Sequence, residues 1–156
     1  MLKKLVGTIY RNIPWRLRKK FVRLSQNKFT ASVAAVIFNE KGEVMLLDHV
    51  LRPQAGWAIP GGFMNFGEQS DEAVRREIRE ETGLELKALE MFRVRIAGQH
   101  IEILFRAEAD GIAEVKSLEI NAVGWFGVDA LPEQINQRDK STINSLVAGA
   151  GKINVR

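Results

Sequence analysis

Cysteine is absent from the 156-residue chain, which excludes disulfides, a thiolate zinc site and a cysteine nucleophile. Only two histidines are present, His49 and His100, and each alone reads as a surface or strand residue. No apolar run reaches membrane-spanning length. The start, Met1 to Gly7, begins like a signal peptide, but Arg11, Arg16, Arg18, Lys19 and Lys20 interrupt any stretch long enough for export. A cytoplasmic protein is therefore the expectation. Acids are missing altogether from residues 1–28, which hold nine Lys or Arg, while the remainder carries fourteen bases against nineteen acids. The net charge of +4 thus belongs to the N-terminal arm and not to the body of the chain. With 46% hydrophobic and 27% charged residues, what is present suits one compact soluble domain.

The arm, residues 1–28, contains Leu17, Phe21 and Leu24 at helical spacing, with Arg16, Arg18, Lys19, Lys20 and Arg23 over the other faces. It reads as a basic amphipathic helix opening near Pro14. Residues 29–156 form the expected domain. Ala31 to Phe38 is a short β-branched apolar run, and the turn Asn39-Glu40-Lys41-Gly42 leads to a second strand, Glu43 to Leu47, so the pair reads as a hairpin. Ser70 is a candidate N-cap, Asp71 and Glu72 place negative charge in a first helical turn, and Gly83 is a stop, which predicts a helix over 71–82. Strands are predicted at Leu84 to Ile96, Ile101 to Ala109 and Ala122 to Val128, with a last helix from about Asp139 to Val147. This order predicts an α/β (α+β) protein in which helices sandwich a sheet.

On a helix turning about 100° per residue, Glu77, Glu80 and Glu81 share one face. Like charges so placed must be solvated, paired with bases or neutralised by a cation, and magnesium is the cation that hard oxygen ligands favour. Val74 and Ile78 occupy the neighbouring stripe as core anchors, Ala73 leaves the carboxylate face open, and Arg75 and Arg79 are free to meet solvent or phosphate. Taken alone, Arg-Glu-Ile-Arg-Glu-Glu reads as a solvated face of alternating charge sooner than as a metal helix.

The segment does not stand alone. Gly62, Glu68 after five residues, and Arg76-Glu77-Ile78-Arg79-Glu80-Glu81-Thr82-Gly83-Leu84 after seven more match nine specified positions over 23 residues. The run resembles the Nudix box without a departure, and a wider similarity, including Trp57-Ala58-Ile59-Pro60-Gly61-Gly62, covers roughly residues 30–130. The resemblance implies a Nudix-like α/β/α sandwich with a mixed β-sheet between helices. It implies a hydrolase in which two or more magnesium ions, with manganese as a possible substitute, assist water to attack a diphosphate at phosphorus.

Residue by residue, the resemblance implies a loop-helix-loop in which Gly61 offers a carbonyl oxygen to the metal and Gly62 brings backbone close to phosphate, although Gly61 also reads as a simple tight turn. Glu77, Glu80 and Glu81 match the family's metal-binding glutamates, and Glu119, six residues before Trp125, matches a fourth. Glu68 and Arg76 would brace the loop and orient those carboxylates. The base is Glu77 or a carboxylate from a distant loop, Glu133 or Asp139, each of which reads on its own as a solvated surface acid. Apart from the resemblance, Arg52, in the loop after the second strand, reads equally as a phosphate contact and as an ordinary surface arginine. Trp57, Phe63 and Phe66 read as core aromatics and not as site residues.

The substrate class expected is a nucleoside diphosphate linked to another moiety. The alternatives are a nucleoside triphosphate or an RNA 5′ end, which the basic arm would attract, and a regulator that binds a nucleotide without turnover. No proline lies between Pro60 and Pro132 and the single tyrosine is Tyr10, so the secondary signals of the family's ADP-ribose and dinucleoside polyphosphate hydrolases are missing. For the arm three partners stay open: an anionic membrane surface, nucleic acid, or the domain itself or a second subunit in a homodimer.

Overall fold

The computed structural model describes residues 13–17, 19, 26–50 and 56–149. Of the expected arm stripe, Leu17 is described, whereas Phe21 and Leu24 lie outside the described residues. In chain order the elements are β1 (Thr30–Phe38), β2 (Val44–His49), β3 (Trp57–Ala58), β4 (Gly61–Phe63), α1 (Ser70–Thr82), β5 (Leu86–Ala97), β6 (His100–Ala109), β7 (Ile120–Phe126) and α2 (Gln137–Gly149). A short 3₁₀ turn, Val128–Ala130, follows β7. Among the described residues no helix is long and apolar enough to cross a membrane.

Seven strands form one mixed sheet in the order β3-β2-β1-β6-β5, with β4 also on β1 and β7 also on β2. β1 pairs with β6 in parallel, from Thr30 opposite His100 to Phe38 opposite Glu108. Strand β1 is central, so its residues Val33 to Ile37 are buried on both faces, which explains the unbroken apolar run. Val33, Ala35 and Ile37 meet Val74 and Ile78 of α1 on one face, while Ala34 and Val36 join Leu104 and Ile143 of α2 on the other. The sandwich of helices about a mixed sheet is thus present as expected.

Four expectations are corrected. The β1–β2 hairpin closes only through Phe38 opposite Val44; beyond the turn, β2 leaves β1 and pairs along its length with β7. The cap of α1 is Gln69, whose amide donates to Glu72 Oε2 at 3.3 Å, so that Ser70 is already helical. Helix α2 begins two residues early because Asn136 Oδ1 accepts the Arg138 amide at 2.9 Å. The strand ends differ from expectation by at most two residues, most in β7, which ends at Phe126 and leaves Val128 to the 3₁₀ turn.

The stop of α1 positions the site. Gly83 takes the left-handed φ of 73° and its amide bonds to Arg79 O at 2.9 Å. The last carbonyls, those of Glu81 and Thr82, accept the Lys116 and Glu114 amides, each at 3.0 Å. This stitches the helix end to the segment that carries Glu119. Ile78 and Val74 are fully buried, as is Ala73, which sits in the core and not beside an open face. Replacing Ile78 by Ala should destabilise the fold by roughly 2–5 kcal/mol, since it removes a core anchor from a close-packed layer; a shift of the urea midpoint without a change in slope is the measurement.

Candidate active site

Strand β4 lies flat on β1, with Gly61, Gly62 and Phe63 opposite Ala34, Val33 and Ser32. Gly61 is therefore a strand residue and not a turn. Its φ is 152°, and a Cβ there would fall 2.2 Å from Val33 O, so only glycine permits the contact. At Gly62 a Cβ would meet Glu77 Oε2 at 2.3 Å. The missing side chain is what allows the Glu77 carboxylate to rest on the β4 backbone.

Arg76 organises the acids around this contact. Its Nε and Nη2 donate to the two oxygens of Glu68 at 2.7 and 3.0 Å. Nη1 reaches Glu77 Oε1 at 2.7 Å and Glu80 Oε2 at 3.2 Å, and Nη2 also donates to the Phe63 carbonyl at 3.1 Å. Glu68 in turn accepts the Asn65 amide at 2.8 Å. The Arg76 hydrogen bond first, and the Asn65 amide second, hold the Glu68 carboxyl at about 2, well below its ordinary 4.5. The guanidinium is pushed further up by the same Glu68 bond. Arg76 thus joins Glu68, in the loop before α1, to Glu77 and Glu80 on the helix.

Glu77, Glu81 and Glu119 line one cleft of about 900 Å³, together with Gly61 and Gly62. Glu81 is buried and Glu119 exposed. Glu80 and Glu68 are not among the lining residues; Glu80 is 60% exposed and turns to Arg76 at the rim. Both histidines line the same cleft, as do Asp139, Arg138 and Asn136. Asp139 is buried, not a solvated acid, with Oδ2 accepting the Ile59 amide at 3.3 Å. Glu133 is exposed and absent from that lining. His100 lies between Thr30 Oγ1 at 2.7 Å and Ser32 Oγ at 2.9 Å.

Other expectations on single residues change. Arg75 is held by the Leu86 carbonyl at 2.6 Å, and Arg79 by Glu85 at 2.5 and 2.8 Å, so neither is free for phosphate. Trp57 does pack edge-on against Phe126, centroids 4.9 Å apart, but Phe63 is 65% exposed and faces His100 across the cleft. Phe66 is fully exposed. Arg52 lies outside the described residues. Arg138 and Asn136 had no signal in the chain beyond a cap residue before a helix, because only folding carries α2 to the cleft mouth.

The donors suit magnesium in kind, since Glu77, Glu81, Glu119 and the Gly61 carbonyl all offer hard oxygens, and Gly62 makes room for the Glu77 carboxylate. Among the described residues no three His, Asp or Glu side chains are drawn together at cage distance; the charge of Glu77 and Glu80 is met by Arg76.

The NUDIX domain family profile matches residues 28–146. A MutT-like protein of Streptomyces ambofaciens is 27% identical over 78% of this chain and 79% of its own length. The 8-oxo-dGDP phosphatase NUDT18 of Mus musculus is 32% identical over 76% of this chain, which spans 38% of that relative. Among solved structures, a MutT NUDIX hydrolase from Burkholderia pseudomallei superposes with a TM-score of 0.66 at 27% identity, covering 75% of this chain and 97% of that one. The chain belongs to the NUDIX domain family and is a Nudix-type pyrophosphohydrolase, an enzyme acting on phosphorus-containing anhydrides.

Two outcomes follow from this geometry. Because the folded carboxyl of Glu68 titrates below the unfolded one, its contribution to stability is complete above pH 4.5 and is lost as pH falls toward about 2. Arg76→Ala should return the Glu68 titration, followed by side-chain carboxyl NMR, toward the ordinary range and flatten that acid limb. Gly62→Ala should displace the Glu77 carboxylate and lower turnover at least about tenfold with a small change in Tm, read by comparing rate with thermal midpoint.

Proposed function

We propose that residues 29–156 form a magnesium-dependent hydrolase, with manganese able to substitute, that cleaves the phosphate–phosphate bond of a nucleoside diphosphate linked to another moiety. Residues 1–28 form an accessory arm. The observation that carries this reading is the common cleft of Glu77, Glu81 and Glu119, with Glu77 seated on Gly62 and tied by Arg76 to Glu68.

In this reading Glu77, Glu80, Glu81, Glu119 and the Gly61 carbonyl hold the metal, and Arg76 and Glu68 position them. Magnesium, when bound, supplies charge neutralisation at the diphosphate and a more acidic water. Glu80 turns inward from the rim, an adjustment open to it because its bond to Arg76 is the longest of that residue's carboxylate bonds. Arg138, at the cleft mouth, and Arg52 draw the phosphates in. The proton of the attacking water passes to a carboxylate that faces the cleft, Glu77 from the helix or Asp139 from the opposite wall. No covalent intermediate is required, so the absence of a cysteine nucleophile is immaterial.

A second reading, hydrolysis of nucleoside triphosphates or RNA 5′ ends, is favoured by the names of further relatives. One is a putative 8-oxo-dGTP diphosphatase of Bacillus subtilis, 28% identical over 81% of this chain and 86% of that relative. Another is the NAD-capped RNA hydrolase NudC of Erwinia tasmaniensis, 27% identical over 62% of this chain and 38% of that relative. A panel of ADP-ribose, 8-oxo-dGDP, 8-oxo-dGTP and NAD-capped RNA, scored for phosphate or nucleoside monophosphate release, separates the two.

Excess chelator should abolish turnover, and magnesium should restore it. Glu81→Gln should lower the rate by at least about a hundredfold while the circular dichroism spectrum is retained. In heavy-oxygen water the label should enter a phosphate product and no sugar carbon; label on carbon would mean glycosidic cleavage and would overturn the reading.

A further inference from the structure

Phe63, Ser32, Glu102 and His100 line the cleft but take no part in the chemistry proposed above. Strand pairing sets them in order. Phe63 on β4 stands opposite Ser32 on β1, Ser32 opposite Glu102 on β6, and Glu102 opposite Arg95 on β5. Opposed residues project from the same face of a sheet, so the four make one row across four strands. Thr30 and His100 form the next row on that face. Gly61 lies two residues before Phe63 on β4. The row therefore begins roughly 7 Å along the strand from that carbonyl, the scale of the sugar that joins a phosphate to its base.

Each side chain at this end is held. Both ring nitrogens of His100 are engaged, Nδ1 at 2.7 Å from Thr30 Oγ1 and Nε2 at 2.9 Å from Ser32 Oγ. Whichever nitrogen carries the proton, neither is left to act as a base, and the ring becomes a fixed wall. Phe63 meets it edge-to-face, centroids 5.8 Å apart, yet stays 65% exposed, so apolar ring surface is left open at the cleft. Arg95 donates to Glu102 through Nε at 2.8 Å and through Nη2, and both bonds land on Oε2. Neither reaches Oε1, so one carboxylate oxygen remains to accept. An open aromatic surface beside a charged acceptor suits a planar ring with an amino edge. It does not suit a phosphate, which the carboxylate repels.

We propose that this row is a nucleobase subsite: the base of the nucleotide stacks on Phe63 beside His100, and its exocyclic amino group donates to Glu102 Oε1. Arg95 is a positioning residue that holds the carboxylate. The proposal rests on the reading of the metal end as a diphosphate site, and it narrows the substrate to a nucleotide whose base bears an amino group.

The test is equilibrium binding to the full chain with magnesium, read by calorimetry. The probes are AMP, purine riboside 5′-monophosphate, which lacks only the amino group, and ribose 5-phosphate, which lacks the base. AMP is expected to bind at least about tenfold tighter than purine riboside 5′-monophosphate, and tighter still than ribose 5-phosphate. Phe63→Leu should weaken AMP at least about fivefold and leave ribose 5-phosphate unchanged, because the Phe63 group bonded to Arg76 is a backbone carbonyl. Glu102→Leu should erase the difference between AMP and its amino-free analogue while both still bind more tightly than ribose 5-phosphate. Failure of the diphosphate reading has a separate signature, no binding of ribose 5-phosphate; adenosine against purine riboside then still reads the base preference. Equal wild-type affinities for AMP and ribose 5-phosphate, or for AMP and its amino-free analogue, would overturn the proposal, and neither comparison needs a variant. So would a folded Phe63→Leu protein that binds AMP as the wild type does.

Discussion

The guanidinium of Arg76 is the interaction on which the site depends. It has five donor groups in a fixed plane, and here they reach three carboxylates and one carbonyl: Glu68 at both oxygens, Glu77, Glu80 and the oxygen of Phe63. Three acids near one another would repel, and one planar cation satisfies them at once. Because Glu68 sits in the loop before α1, Glu77 and Glu80 on it and Phe63 on β4, the same side chain ties strand, loop and helix into one rigid piece.

That piece is held from behind by ordinary packing. Val74 and Ile78 bury one side of α1 against Val33, Ala35 and Ile37 of the central strand, which leaves the other side, with Glu77 and Glu81, toward the cleft. A helix can present acids with this regularity only when its apolar stripe is anchored, since an isolated thirteen-residue helix is marginal in water. The C-terminal carbonyls of α1 then recruit the segment of Glu114 and Lys116. Glu119 thereby arrives at the cleft from a distant part of the chain.

The opposite wall has a different origin. Asp139 comes from the first turn of α2, His49 from the end of β2 and His100 from the start of β6. These are far apart in the chain and each is unremarkable in its own neighbourhood. Their approach follows from β1 lying between β2 and β6 and from the Ile59 amide bonding to Asp139.

Sequence alone determined what depends on neighbours within a few turns. The helix over 71–82, its glycine stop, its acid-lined face and the Val74 and Ile78 anchors follow from local periodicity, and the spacing from Gly62 to Leu84 carries the family resemblance. The α/β/α sandwich was legible too, because strands and helices alternate with clear apolar patterns. What only tertiary structure decided is how distant residues meet. Arg75 and Arg79 look free in the chain but find Leu86 O and Glu85 across a turn, Asp139 looks solvated but is buried, and Phe63 looks like core but faces the cleft. The β1–β2 hairpin is cut short in the same way: local turn chemistry brings Phe38 to Val44, whereas β2 pairs along its length with β7, from a distant part of the chain. Local spacing sets which side a residue occupies on its own element, and the packing of elements against one another sets what lies on that side.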